Sequence, residues 1–173
     1  MAQVLSLGKL ETNSYTNLLE QMNLRSNIAD PKDPVGKGTR QFIYDYDPFH
    51  ISIDFSYLPY VIVELPTLEY GMTVSNGKRK ELNFKHRITV RTNRVHSGNR
   101  NIVDNGRIDM LNITDDMNQM FNSDAVRQVF RNNDMYKFNL TKISTDTYPV
   151  DGNYIYEALF ELEYKAPLIT TSS

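Results

Sequence analysis

The chain has 173 residues, the length of one domain, and it is long enough to bury a core without disulfide or metal staples. It contains no cysteine, which excludes disulfides, thiolate zinc sites and cysteine nucleophiles. The 19 basic and 21 acidic residues give a formal net charge of -2, whereas a dedicated nucleic-acid-binding domain is usually visibly basic. No apolar run approaches the roughly 20 residues that span a bilayer. We therefore expect a soluble single domain over residues 1–173, with no membrane partner.

The N-terminal part of the sequence predicts a helix, with Thr12, Asn13 or Ser14 as candidate N-caps. Residues 25–57 follow as a long loop or insertion region. Within it, residues 25–40 are rich in Asp-Pro and glycine turn signals. A loop of this length inside a compact domain is usually functional or disordered. The apolar residues of the helix recur at helical spacing: Leu10, Tyr15, Leu18, Leu19 and Met22.

Two aromatic and β-branched stretches, residues 41–46 and 60–64, predict strands. The second stretch is apolar almost throughout, so we expect it to be covered on both faces of a sheet. Further along, Asn76 and Gly77 predict a tight hairpin turn, because both residue types adopt positive φ readily. After this turn the sequence alternates. One face of the predicted strand carries Leu82, Phe84, His86, Ile88 and Val90.

The second half of the sequence predicts two helices and a closing hairpin. Ser123 is a candidate N-cap of the second helix, whose apolar face is Val126, Val129 and Phe130. Strands are expected at 135–143 and 154–164, joined by a turn at 147–152, and residues 166–173 are expected to form a flexible tail. The first helix carries an apolar stripe: Met110, Ile113, Met117, Met120 and Phe121.

This order of elements predicts an α+β fold. Two hairpins require antiparallel pairing, and amphipathic helices need a sheet face on which to bury their apolar stripes. We therefore expect a mainly antiparallel β-sheet with the helices packed on one face.

Catalytic signatures are not found in the sequence, so no catalytic, cofactor-binding or metal site is predicted and the protein is not expected to be an enzyme. Asp45, Asp47 and His50 lie close together, and a small metal-dependent enzyme using them is one alternative. His86 falls on the apolar face of its strand, which favours a hydrogen-bonded histidine in the core or at a subunit boundary.

Charged residues of two predicted strands suggest an interface. If these strands are neighbours, their opposite charges pair across the sheet or across a subunit boundary. Taken without the acidic strand, the basic residues of the first strand form a positive strip and a possible DNA contact. A DNA-binding module is therefore a second alternative. The candidate interface residues are Lys85, Arg87 and Arg91 on one strand, Glu157, Glu161 and Glu163 on the other, and the turn residues Asn76 and Gly77.

Several stretches together resemble the tail-terminator and tail-completion (neck) proteins of long-tailed bacteriophages. They are the N-terminal helix with Leu18 and Leu19, the strand at 58–64 that Pro59 introduces, and the charged strand at 80–90 after its turn. A helix at 108–121 and the closing hairpin that ends in 151–164 complete the likeness, which covers residues 10–165.

The resemblance implies a small α+β subunit that forms a six-membered ring in the virion. In this family, the ring caps the tail tube, halts its polymerisation and joins it to the connector of the head. DNA passes through the hole without sequence-specific binding, and assembly takes place in the host cytoplasm. A head-completion or adaptor protein of the same neck is the nearest alternative. The family has no catalytic residues to transfer.

Overall fold

The structure, a computed structural model, describes residues 7–25, 28, 43–47, 58–74, 79–93 and 105–169. These residues form a mixed, mostly antiparallel sheet with three helices packed against it, so the α+β class is confirmed. The elements in chain order are α1 (Leu7–Asn23), β1 (Ile43–Tyr44), β2 (Tyr60–Val63), β3 (Thr67–Val74), β4 (Arg79–Asn93), α2 (Asn105–Asn122), α3 (Asp124–Asn132), β5 (Tyr136–Val150) and β6 (Asn153–Ile169).

The sheet is built around the long strands β4 and β6. Within the described ranges the strand order is β1-β2-β4-β6-β5, and β3 pairs with the other half of the β4 edge that β2 occupies. The β1–β2 pair is parallel, and the other described pairs are antiparallel. β4 and β6 are in register from Arg79 opposite Ile169 to Asn93 opposite Ile155.

The main core lies between the helices and the even-numbered residues of β4 and β6. Because side chains alternate along a strand, this register places two apolar rows on the same face of the sheet. The helices add apolar residues that include Leu18, Met117 and Phe130. The two rows are Leu82, Phe84, Ile88 and Val90 on β4, and Ala158, Phe160, Leu162, Tyr164 and Ala166 on β6.

A second, smaller core lies on the other face of the sheet. It contains Leu58, Tyr60, Ile62 and Ile155, with Tyr44 packed against it. All four residues of β2 are buried, which confirms the prediction that this strand is covered on both faces. Of the predicted strand at 41–46, Ile43 and Tyr44 form β1, Asp45 and Tyr46 do not continue it, and residues 41 and 42 lie outside the described residues.

The helix boundaries correct one prediction and refine another. α1 already begins at Leu7, so Thr12, Asn13 and Ser14 lie inside it and are not its N-caps. Ser123 is the N-cap of α3 as predicted, although its side chain makes no capping hydrogen bond. In the described part of the chain, no helix is long and apolar enough to cross a membrane.

Both predicted hairpins are confirmed, with a correction to the second. β3 and β4 pair up to Val74 opposite Arg79, while Asn76 and Gly77 themselves lie outside the described residues. The turn between β5 and β6 is only Asp151 and Gly152, because β5 continues through the predicted turn to Val150. Both turn residues have positive φ, 48° and 80°, as a two-residue type I′ hairpin requires.

The C-terminal prediction is wrong for residues 166–169. They belong to β6 and pair with β4, and Ala166 is buried, so they are not a flexible tail. Most of the expected loop region 25–57 lies outside the described residues, but β1 shows that it contributes a strand to the sheet.

His86 is a hydrogen-bonded core histidine, as its position in the alternation predicted. Its Nδ1 is 3.1 Å from the carbonyl oxygen of Glu64, and its Nε2 is 2.7 Å from the hydroxyl of Tyr164. A carbonyl only accepts, so Nδ1 carries the proton, and Nε2 of the neutral ring accepts from Tyr164. Burial lowers the pKa of His86 to about 4, although the hydrogen bond to Glu64 acts in the opposite direction.

We expect His86 to make the fold acid-sensitive. Its pKa is lower in the folded chain than the ordinary 6.5, so protonation favours unfolding. Its contribution to stability is complete above pH 6.5 and is lost as the pH falls toward 4, by up to about 3 kcal/mol. Urea unfolding at pH 7.5 and 4.5 measures this loss. The control is His86→Gln, which has no titrating ring and should lose less stability over the same interval.

The Asp151–Gly152 turn should be sensitive to a side chain at its second position. Gly152→Ala should lower the free energy of unfolding by about 1 kcal/mol, because φ of 80° disfavours an L residue. A Cβ there would meet no atom within 4 Å, so the cost arises in the backbone alone. Asp151→Asn is the matched control, since asparagine tolerates positive φ. Equal stability of all three proteins would contradict the assigned turn.

Candidate interface on the charged face of the sheet

The six charged strand residues singled out in the sequence lie together on one face of the sheet, opposite the helices. The register places Lys85 opposite Glu163, Arg87 opposite Glu161 and Arg91 opposite Glu157. The predicted pairing of the two strands across the sheet is therefore confirmed. We call the face formed by these six residues the charged face.

Lys85 bridges two carboxylates at one end of the charged face. Its Nζ lies 3.4 Å from Glu69 Oε1 on β3 and 3.6 Å from Glu163 Oε1 on β6. The hydrogen bond to Glu69, with the charges of Glu69 and Glu163, raises the pKa of Lys85. All three side chains are well exposed, so water and salt screen the interaction, and its value lies in fixing positions more than in stability.

A second ion pair adjoins Lys85 on the same face. Lys165 contacts the carboxylate of Glu81, and the Tyr136 hydroxyl donates to the other oxygen of Glu81 at 2.8 Å. The hydrogen bond from Lys165, followed by the one from Tyr136, lowers the pKa of Glu81. Glu81, Lys165 and Tyr136 lie on β4, β6 and β5, so this contact links three strands.

Arg91 is the centre of the most buried polar network on the charged face. Its Nε donates to Glu157 Oε2 at 2.7 Å, and one terminal nitrogen donates to Asp47 Oδ2 at 2.7 Å and to the Tyr60 hydroxyl at 3.1 Å. The Tyr148 hydroxyl donates to the same oxygen of Glu157 at 3.2 Å. Only 17% of the Arg91 side chain is exposed.

In this network Arg91 stays charged, and the neighbouring tyrosine hydroxyl groups stay protonated. Burial works to lower the pKa of Arg91, but hydrogen bonds to Tyr60, Glu157 and Asp47 outweigh it and raise the pKa. Burial is also the largest influence on Tyr148 and raises its pKa to about 12, against the effect of Arg91. Arg91 therefore keeps its charge at any physiological pH, and the network acts as a permanent clamp.

Asp47 connects the Arg91 network to a segment of the chain outside β4 and β6. Residues 43–47 belong to the predicted insertion region, and their contact with Arg91 fastens this segment to the charged face. Tyr46, next to Asp47, is 62% exposed, and its ring makes an edge-on contact with Tyr44 at 6.5 Å. The chain thus presents an exposed tyrosine next to the residue that Arg91 binds.

The contacts of β4 bear on the two alternative functions. Lys85 and Arg91 are bound to carboxylates and Arg87 lies opposite Glu161, so the cations do not form an isolated positive strip. In the described ranges, no group of three or more histidine, aspartate or glutamate residues is placed to hold a metal ion. Asp47 instead accepts from Arg91, and His50 lies outside the described residues.

Sequence reasoning missed the partners that come from other strands. Asp47, after β1, and Tyr60 on β2 accept from Arg91, and Tyr148 on β5 donates to Glu157, the carboxylate that Arg91 binds. The Glu81–Lys165 pair could have been predicted from the sequence, since both residues occupy the polar positions of their alternating strands. Asn76 and Gly77 were grouped with the charged face but lie outside the described residues.

Comparison with known proteins does not identify a family for this chain. No protein-family model matches the chain, and no curated protein sequence matches it.

Removing the cation of the Arg91 network should destabilise the fold. Arg91→Met leaves two partly buried carboxylates, Asp47 and Glu157, without their cation, and we expect a loss of about 2 kcal/mol. The matched control is Arg87→Met on the same strand and face, where an exposed side chain should cost less than about 1 kcal/mol. Urea unfolding measures both. Equal losses in the two variants would contradict the central role of Arg91.

Proposed function

We propose that this protein is a structural subunit of the bacteriophage neck, a tail terminator. Its copies form a ring that caps the tail tube and joins it to the head connector. The proposal includes the partners that the resemblance implies: further copies of this chain, the tail tube protein and a head-completion or connector protein. DNA passes through the ring without sequence-specific contact, and the protein resides in the virion after assembly in the host cytoplasm.

The observation that carries the proposal is the composition of the charged face. One face of the sheet packs against three helices, whereas the other presents ordered ion pairs of both signs. Such a surface favours binding to a complementary protein, because paired charges determine orientation and partner choice rather than raw affinity. A subunit whose contact surface differs from the surface it meets on its neighbour can close into a ring.

Tyr46 supplies the second part of the argument. Protein interfaces are enriched in tyrosine, whose ring buries apolar area while its hydroxyl tolerates water. Here the ring is exposed and contacts Tyr44 edge-on, and the Asp47–Arg91 ion pair holds the neighbouring residue in the chain. Tyrosine is also enriched among the few residues that carry most of the binding energy of an interface.

The arrangement supports assembly better than it supports catalysis. On this face Lys85 pairs with Glu163 and Arg91 with Glu157, and the Arg91 guanidinium keeps its charge over the whole physiological range. A general acid or base would instead need a pKa near the working pH. These residues are suited to holding surfaces in register.

The first test is the assembly state of the purified protein at high concentration, by light scattering and negative-stain imaging. We expect rings of six subunits, or rings that form when tail tubes are added as a template. Arg87→Glu and Tyr46→Ser should each weaken assembly, because they change exposed positions of the charged face and its neighbour. Glu20→Arg, an exposed change on α1, is the control.

A protein that stays monomeric at high concentration and also fails to bind tail tubes would contradict the proposal. Rings that form equally well in both variants would retain the ring but remove the charged face from its interface. A monomer that binds only a preformed neck ring would point to the head-completion or adaptor role.

A further inference from the structure

A cavity of about 620 Å³ opens at the start of β5, where this strand, β3, β4 and β6 meet α3. None of the roles above uses it as a whole. It is lined on the α3 side by Arg127 and Arg131, and on the strand side by residues that include Asn83 and Lys137.

A β-bulge lines one side of the cavity. Tyr136 is opposite Lys165 and Asn139 is opposite Glu163, so Lys137 and Phe138 together face a single residue of β6. Lys137 has a φ of 54°, which lies in the left-handed region. A bulge of this kind bends the strand and redirects side chains. Here Phe138 remains in the core while Lys137 stays exposed at the cavity.

The lining has an excess of positive charge. Two glutamates are present, and both are engaged by Lys85. Lys165 is engaged by Glu81. The remaining cations of the lining are Arg127, Arg131 and Lys137. Among the described residues, the closest ion pair of these three is the 3.8 Å contact between Arg127 and the fully exposed Asp124. The charged lining residues are Lys85, Arg127, Arg131, Lys137, Lys165, Glu69 and Glu163.

Two buried polar atoms of the lining have no hydrogen-bond partner among the described residues: Arg127 Nε and Asn83 Oδ1. A buried donor or acceptor that is left unsatisfied costs about 1–3 kcal/mol. The two atoms need opposite partners, since Arg127 Nε is a donor that needs an acceptor and Asn83 Oδ1 is an acceptor that needs a donor. The lining residues therefore include both an unsatisfied donor and an unsatisfied acceptor, and a ligand with a negative acceptor and an N–H or O–H group would match both.

This requirement separates two classes of anionic ligand. A DNA phosphodiester backbone offers acceptors but no donor, and its charge is negative at every unit, whereas the lining carries Glu69 and Glu163 as well as its cations. An acidic peptide offers carboxylates for the arginines and backbone N–H groups for Asn83. Arg127 and Arg131 are four residues apart on α3, so their guanidinium groups lie on the same side of the helix.

We propose that the cavity at the β5 bulge is a docking site for an acidic peptide segment of a partner protein. Its carboxylates pair with Arg127, Arg131 and Lys137, and its backbone N–H groups donate to Asn83. The site adds a contact surface to the charged face and does not require the ring to exist.

The test uses the full chain and a short fluorescein-labelled peptide of alternating glutamate and glycine, with fluorescence anisotropy as the readout. The wild type should bind this peptide and not its glutamine counterpart, and added salt should weaken the binding. Arg131→Gln, at an exposed position, should reduce affinity roughly tenfold through the loss of a charge-assisted bond. Arg127→Gln should do the same, with thermal unfolding as the check on folding.

Arg107→Gln, an exposed change on α2 away from the cavity, is the matched control and should bind like the wild type. No binding of the glutamate peptide, or binding that neither cavity substitution weakens, overturns the proposal. A labelled oligothymidylate that binds more tightly, with the same dependence on Arg131, overturns it in favour of a nucleic acid. Ring assembly should be unchanged in Arg131→Gln, so failure here is distinct from failure of the neck proposal.

Discussion

The antiparallel register between β4 and β6 is the constraint on which the rest of the structure depends. Arg79 lies opposite Ile169 and Asn93 opposite Ile155, so the even-numbered side chains at 82–90 on β4 and 158–166 on β6 share the helix side of the sheet. A shift of one residue in either strand would exchange its core row with its charged row. This register alone builds the main core and aligns three cations with three carboxylates on the opposite face. The packed core makes other registers costly, and the ion pairs make them costlier still.

The alternating pattern explains which parts of the fold were predictable. Leu82, Phe84, Ile88 and Val90 identify the buried row of β4 directly, and the stripe from Met110 to Phe121 identifies the helix that covers it. The pairing of the two charged strands followed from complementary charge. Local patterns of this kind are repeated over many residues, and they agree with the final packing.

The errors have a different physical origin, since they concern features that tertiary contacts decide. The helix α1 begins before the polar residues that were predicted to cap it. The strand β5 continues through the predicted turn although it contains Pro149. The proline is tolerated because β6 is the only neighbour of β5 in the described sheet. The contact between Asp47 and Arg91 joins residues separated by 44 positions, and no periodicity indicates it. The bulge at Lys137 likewise depends on how β5 fits β6, so the cavity beside it was not predictable.

Lys85 and Glu163 belong both to the charged face and to the lining of the cavity at the β5 bulge. The two surfaces are therefore not energetically independent. A carboxylate of a ligand in the cavity would compete with Glu163 for the ammonium group of Lys85, and a neighbour that stabilised the Lys85–Glu163 pair would compete with that ligand. Thermodynamic reciprocity then requires that each event change the affinity of the other by the same factor. For the proposed assembly and the proposed docking, a single shared lysine would be enough to couple the two, without any movement of the backbone.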